Sequence, residues 1–226
     1  IVLAGLYSCS IQKHLPEGEH LYNGAHISIT KTEDNKEKSK PVKKMLKNIT
    51  FPAKNKMILG YPYKVGLWYF IGEPKKQKGF HFWLRNRLGE PPVLSSKVDL
   101  QANSENMHAF LENKGYFKSA VSDSQKIKGY KMTAMYNVLL PKPYTIDSVQ
   151  WVLDSSKLST AILAIRKKNQ YVKIDQQFDL EDIKAEGKRI DLALKNKGYY
   201  YFSPDYIKTY VDTTAGSYKA NIFLSV

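Results

Sequence analysis

The sequence predicts an α+β protein made of two copies of one β-α-α-β-β unit, and three observations predict it. A short stretch occurs twice, LENKGYF at Leu111–Phe117 and LKNKGYY at Leu194–Tyr200, so that a shift of 83 residues lays Gly115 on Gly198 and Tyr116 on Tyr199. A period this long points to repeated small domains rather than a solenoid. Upstream of each stretch runs one helical face, with Leu100, Met107, Phe110 and Leu111 matching Ile183, Ile190, Ala193 and Leu194. Downstream, Tyr130, Met132, Ala134, Tyr136 and Val138 alternate after Gly129, as Tyr218, Ala220, Ile222, Leu224 and Val226 do after Gly216. Both runs read as hairpins with one buried face.

The repeated glycine has a physical role. A helix commonly stops at a residue in the left-handed conformation, where glycine alone avoids a Cβ clash, and the next apolar side chain folds back on the last turn. Gly115 with Tyr116, and Gly198 with Tyr199, are therefore the predicted structural caps. Lys114, Lys195 and Lys197 fall where the negative end of the helix dipole favours cations.

In chain order, residues 1–9, IVLAGLYSC, are apolar and end at the single cysteine. The run is too short to span a bilayer and has the length of a signal-peptide core. Leu6-Tyr7-Ser8-Cys9 resembles a bacterial lipobox, which makes Cys9 a lipidation candidate. The alternatives are a buried thiol or the start of a core strand. With one cysteine no disulfide forms within the chain, and lipid better explains a lone Cys closing a secretory-looking leader. Residues 10–19 form a polar tether kept irregular by Pro16 and Gly18. Residues 20–141 are the first unit, opened by the strand candidate LYNGAHISIT at Leu21–Thr30 with Ala25, Ile27 and Ile29 on one face, and enlarged by a basic insertion at about 31–78.

Within that insertion KEKSKPVKKMLKNI predicts a short helix on either side of Pro41, and YPYKVGLWYFIG reads as an aromatic, strand-like run. GFHFWLRNRLGEPPV predicts a helix stopped by Gly89, Pro91 and Pro92. A second frame stays open, because the 83-residue shift also lays Tyr61–Trp68 on Tyr144–Trp151 and would start a full unit at Tyr61. Residues 142–226 are the second unit, with a strand at Tyr144–Trp151 and a helix from about Ser155 to Lys168 on which Leu158, Ile162 and Ile165 share a face. The prolines of Leu140-Pro141-Lys142-Pro143 predict a stiff joint before it.

Charge restricts the partners. Lys and Arg number 35 against 21 Asp and Glu, and residues 31–90 hold fifteen of the former against five of the latter, about +10 of the total +14. Such an excess suits anionic headgroups, at about 1 kcal/mol per residue near a charged surface, or is a solvated lysine-rich loop. Lysines interleaved with Tyr61, Tyr63, Trp68 and Tyr69 imitate a stacking platform for nucleic acid, but a secretory, lipid-modified chain does not meet nucleic acid. The histidines His14, His20, His26, His81 and His108 show no metal-ligand spacing, and no GxSxG, P-loop or GxGxxG occurs. His81 and His108 are expected to cap or flank helices, Trp83 and Trp151 to pack in cores or between domains, and Asp179, Glu181 and Asp182 to complement a helix dipole. No catalytic residue, metal site or cofactor is nominated; the chain is expected not to be an enzyme.

The β-α-α-β-β order, with helices ending in Gly-Tyr-Phe or Gly-Tyr-Tyr before a hairpin, resembles the POTRA domain of the BamA/TamA superfamily of outer-membrane assembly proteins. Cys9, LYNGAHI, and LGEPPVLSSKVD leading to ENKGYF resemble the lipoprotein branch of that superfamily in Bacteroidota, TamL. The resemblance covers nearly the whole chain. It implies tandem three-stranded mixed sheets, each covered by two helices, on the periplasmic side of the outer membrane, anchored in its lipid through Cys9 and followed by a membrane β-barrel after Val226; the alternative is a free periplasmic protein-binding adaptor without a barrel. It also implies that unfolded outer-membrane proteins, and a TamB-like periplasmic partner, dock by adding a strand to an exposed sheet edge. In POTRA domains that edge is the first strand of the terminal hairpin. Here it covers Lys118–Gln125, with Lys118, Ser119, Val121, Asp123 and Gln125, and Tyr206–Thr213, with Tyr206, Lys208 and Tyr210. Lys118, Asp123 and Lys208 are placed to blunt such edges by charge.

Overall fold

A computed structural model describes residues 11–166, 170–214 and 216–226; Cys9 and Lys168 lie outside them. The element order is β1 (Leu21–Lys31), α1 (Ser39–Asn48), α2 (Tyr63–Ile71), α3 (Phe80–Leu88), α4 (Leu100–Asn113), β2 (Ala120–Lys128), β3 (Lys131–Leu140), β4 (Thr145–Val152), α5 (Lys157–Ile165), α6 (Leu180–Lys195), β5 (Lys208–Asp212) and β6 (Lys219–Ser225). Single 3-10 turns lie at Ser95–Lys97 and Pro204–Tyr206. The class is α+β, with two three-stranded sheets of orders β1-β3-β2 and β4-β6-β5. In each sheet the last strand lies in the middle. β4 runs parallel to β6 and β5 antiparallel to it, a mixed sheet, with a one-residue irregularity between Ile146 and Ser148. In the first sheet Leu21 N–H donates to Tyr130 O at 2.8 Å and Thr32 N–H to Leu140 O at 3.2 Å, partners that rise together and so run parallel.

Contacts divide the chain into two compact units that do not follow the sequence halves. The first takes the segment up to Thr30, Ser39–Met107 and Val121–Val138; the second takes Lys31–Lys38, His108–Ala120 and Leu139–Val226. In the first, Tyr22, Ile27, Leu46, Met132, Ala134, Tyr136 and Val138 are buried, and Ile11, Leu21 and Val65 form a cluster flanked by Leu15, Tyr61, Tyr69 and Tyr130, so Ile11 and Leu15, expected in a polar tether, pack on the core instead. Burial pushes the Tyr22 hydroxyl up to about 12. In the second, Ile146, Val172, Phe178, Ile183, Ile222 and Leu224 form one cluster and Ile162, Ile190, Leu194 and Phe202 another, with Trp151 packed against both.

Three expectations for the insertion are corrected. Pro41 does not split a helix: α1 runs through it, because Pro41 falls in the first turn, where a missing N–H and a fixed φ are tolerated. The aromatic run is a helix and not a strand. Pro62 stands at the N-cap of α2 and one side of the helix is buried through Val65, so helical period overrides the β propensity of Val, Trp, Tyr and Phe. That helix also closes the second frame, since Tyr61–Trp68 cannot be a first strand. The first strand is β1. Elsewhere, the helix expected over Ser155 to Lys168 spans Lys157–Ile165, capped by Ser156 Oγ, which accepts from Ser159 N–H. Trp83 is not packed away but about half exposed, and His108 lies inside α4 with Nε2 at 3.1 Å from Ser119 O.

Both repeated caps adopt the same geometry. Gly115 has φ 85° and Gly198 φ 94°, the left-handed region. Gly115 N–H donates to Glu112 O and Tyr116 N–H to Leu111 O, both at 2.9 Å; Gly198 N–H donates to Lys195 O at 3.0 Å and Tyr199 N–H to Leu194 O at 3.1 Å. These paired bonds satisfy the last carbonyls of α4 and α6. Their surroundings differ. A Cβ on Gly115 would lie 2.9 Å from Phe178 O and 3.3 Å from Tyr144 O, whereas a Cβ on Gly198 would meet nothing within 4 Å. Lys114 does more than face a dipole: its Nζ lies 2.6 Å from Asp179 Oδ2 at the start of α6.

One buried ion pair was not legible. Glu186 is 4% exposed; its carboxylate accepts from Arg189 Nη2 at 2.6 Å, Arg189 Nε at 3.0 Å and Tyr171 N–H at 3.1 Å, while Arg189 Nη1 donates to Ile165 O. The pair ties α6 to the end of α5.

Two substitution series check these features by urea unfolding. Gly198→Ala is expected to lose about 1 kcal/mol from left-handed strain alone, and Gly115→Ala about 3 kcal/mol once overpacking is added; equal small losses would show that Gly115 has room. Arg189→Met is expected to cost about 3–5 kcal/mol by stranding Glu186, whereas Glu186→Leu combined with Arg189→Met costs far less.

Candidate strand-docking site

The two sheets leave different backbone open. The outer side of each first strand is partly covered where the chain enters its second long helix. Tyr22 N–H donates to Val93 O and Ser95 N–H to His20 O, both at 2.8 Å, giving an isolated bridge Leu21↔Leu94. Glu19 pins the turn through Ser95 Oγ and Ser96 N–H, and these hydrogen bonds hold its carboxyl below the usual carboxylate range. In the second unit Ile146 N–H donates to Gln176 O, Asp175 N–H to Ile146 O and Phe178 N–H to Tyr144 O, around the bridge Thr145↔Gln177. Leu94 and Gln177 are themselves 83 residues apart. Among the described residues, no backbone hydrogen bond joins the outer side of β2 or β5 to another segment.

β2 is exposed along nearly its whole length. Val121, Asp123 and Gln125 lie on it. Asp123 Oδ2 accepts from Ser104 Oγ at 2.9 Å, and Lys126 and Lys128 follow, so charge blunts this edge. Lys118 and Ser119, expected on this strand, precede it. Lys118 carries its ammonium 5.5 Å from the Tyr218 ring centre and 6.0 Å from that of Tyr144, and Ser119 is buried in the turn that follows the Gly115 cap, its N–H donating to Tyr116 O. Phe117 and Tyr116 explain the difference. Phe117 packs 5.0 Å from Phe178 and 5.2 Å from Tyr144, and Tyr116 Oη donates to Glu37 Oε2 at 2.8 Å, which holds the chain off strand geometry until Ala120. Burial, then Glu37, raises the Tyr116 pKa.

β5 holds Lys208 and Tyr210 outward, Tyr210 being 64% exposed, while Val211 packs on the core. Tyr206, expected on the strand, lies in the 3-10 turn before it, because Ser203 Oγ accepts from Asp205 N–H and Pro204 fixes the first position. Beside β5 lies a groove of about 480 Å³ whose walls are Leu180, Ile183, Lys184, Gly187 and Lys188 of α6 against Pro204, Asp205, Ile207, Lys208 and Thr209. Lys184 pairs with Glu181 at 2.8 Å and holds that carboxyl below its usual range. Lys188 and Lys208 leave the rim positive beside Asp205. The groove is not among the expectations from sequence, where its one signal is a glycine in the middle of a helix.

Chemically the site offers unpaired backbone donors and acceptors next to an apolar trough. Such an edge takes an extended segment whose alternate side chains enter the trough. Among the described residues no group of three His, Cys, Asp or Glu could hold a metal, and no helix is long and apolar enough to cross a membrane. A second cleft, of about 640 Å³, is lined in the first unit by His14, Tyr61, Tyr63, Gly66, Leu67, Tyr69 and Phe70.

No family model matches the chain, and no curated protein matches it. Solved structures similar to it include POTRA domains 3 to 5 of BamA from Haemophilus influenzae, 13% identical, covering 94% of this chain and 68% of that one with a TM-score of 0.48. POTRA domains 1 and 2 of the periplasmic part of Omp85 from Anabaena are 12% identical over 93% of this chain and 96% of that one, with a TM-score of 0.38. BamA from Haemophilus ducreyi lacking POTRA domains 1 to 3 is 8% identical over 91% of this chain, which spans 29% of that structure, with a TM-score of 0.45.

A Cβ on Gly187 would sit 3.6 Å from Pro204 Cβ and 3.8 Å from Ile207 Cδ1, ordinary contact. Gly187→Ala is therefore expected to raise stability by about 0.5–1 kcal/mol through helix propensity, read as a higher unfolding midpoint. A lower midpoint would show that α6 needs the glycine for packing.

Proposed function

We propose that this chain is a tandem POTRA region of an outer-membrane assembly or translocation factor and that it captures unfolded outer-membrane polypeptide by adding a strand to β5. The observation that carries the reading is the unpaired outer side of β5 lying along the groove formed with Ile183, Gly187 and Ile207. Main-chain bonds supply affinity with little demand on sequence, and the trough rewards alternating apolar side chains. β2 is a second, weaker edge because Asp123, Lys126 and Lys128 oppose further pairing. In this reading the sheets hang on the periplasmic side of the outer membrane, Cys9 carries lipid as in the lipoprotein branch, and a TamB-like protein is a candidate for the same kind of edge.

Hydrogen exchange tests the capture step. With an unfolded outer-membrane β-barrel polypeptide present, amides of residues 208–212 are expected to gain protection, and Gly187→Leu, which fills the groove, is expected to weaken capture by about tenfold while the far-UV spectrum stays unchanged. Protection confined to β2, or capture indifferent to Gly187→Leu, would refute the β5 assignment. The mass of the N-terminal peptide from native membranes separately tests acylation of Cys9.

A further inference from the structure

A helical hairpin in the first unit presents aromatic side chains that the core does not use. α2 and α3 pack against each other across the loop 72–79, and Phe70, Phe80 and Trp83 occupy the last turn of one helix and the first turn of the other. Their exposures are 86%, 74% and 53%. Phe80 and Trp83 stack at 5.9 Å, so two of the three form one apolar surface at the loop end. Leaving such area in water forfeits the stabilisation that burying it would give.

The tip is held firmly. Arg85 lies 3.8 Å over the Trp68 ring, His81 Nε2 lies 2.8 Å from Ile71 O, and Gly89 lets the helices close where a Cβ would sit 3.0 Å from Trp68 Cα. The loop between the aromatics carries Lys75, Lys76 and Lys78, all exposed, against Glu73 alone. Among the described residues none of the three lysines enters an ion pair.

We infer that this tip is a membrane-interface anchor that seats Phe70, Phe80 and Trp83 at the headgroup boundary of a bilayer while Lys75, Lys76 and Lys78 contact anionic lipid. Charge complementarity selects the occupant: lysines without ion pairs in the loop between exposed aromatics match an apolar layer beneath an anionic one. Each helix has nine residues, about 14 Å long, so the hairpin dips into the interface and does not cross. The inference goes beyond strand capture, since β5 belongs to the other unit.

The test uses the full chain carrying Cys9→Ser, which removes any acyl anchor, floated with vesicles of phosphatidylcholine alone or mixed with phosphatidylglycerol. The chain is expected to float with the mixed vesicles at least about tenfold more than with phosphatidylcholine. Phe70→Ser/Phe80→Ser/Trp83→Ser and Lys75→Glu/Lys76→Glu/Lys78→Glu are each expected to reduce floating at least about tenfold. An environment-sensitive dye on Phe80→Cys, in a chain otherwise intact at the tip, is expected to shift to the blue with mixed vesicles, and the same dye on Lys188→Cys is not. Equal floating with both vesicle types, floating that survives the aromatic substitutions, an unshifted Phe80→Cys dye, or retention by acidic proteins but by no vesicle would each overturn the inference.

Discussion

The second unit turns on one place where no side chain fits. At Gly115 a helix ends, a strand begins and a second helix is about to start, and all three meet backbone to backbone. Gly115 O accepts from Tyr144 N–H at 2.8 Å, Gln177 Nε2 donates to Lys114 O at 2.6 Å, and Lys114 closes on Asp179, the N-cap of α6. The left-handed turn then sends Tyr116 toward Glu37 and Phe117 into the cluster of Ile146 and Phe178. Its counterpart Gly198 makes the same turn with the same two hydrogen bonds into open space, and Tyr200 and Tyr201 beside it are largely exposed. One motif thus serves two purposes. Stopping a helix is intrinsic to the glycine, while joining elements depends on what approaches it.

Local rules made much of the fold legible. The repeat, the alternation of Met132, Ala134, Tyr136 and Val138, and the spacing of Ile183, Ile190 and Leu194 follow from periods of two and 3.6 that any buried face imposes. The insertion was less legible because its signals conflict. In α2, β-branched and aromatic residues follow a proline that starts a helix, and the partner that settles the matter, Tyr61 against Gly66, becomes visible in three dimensions. The edges were legible as segments and not as boundaries. Lys118 and Ser119 read as strand by continuity but are drawn into the Gly115 turn, and Tyr206 is taken by the Ser203 cap. Glu186 with Arg189, and the bridges at Leu94 and Gln177, join segments distant in sequence, where periodicity carries no information.

The edges also differ in kind. β1 and β4 have neighbours at their beginnings, so an incoming strand finds part of the ladder taken. β2 presents a long edge lined with charge, and β5 a short one beside an apolar trough. Length favours β2 and desolvation favours β5. Main-chain bonds are on offer at either edge, and the trough adds apolar area that could be buried beside β5.

The parallel pair at the centre of each sheet bears on how the protein forms. The β5–β6 hairpin closes over a few residues, whereas β4 must find β6 across the separation of Thr145 and Lys219, and β1 must find β3 across that of Leu21 and Tyr130. Local pairings form before distant ones. The hairpin pairings therefore carry the smaller loop-closure cost, and the strand that completes each sheet is drawn from upstream in the same chain.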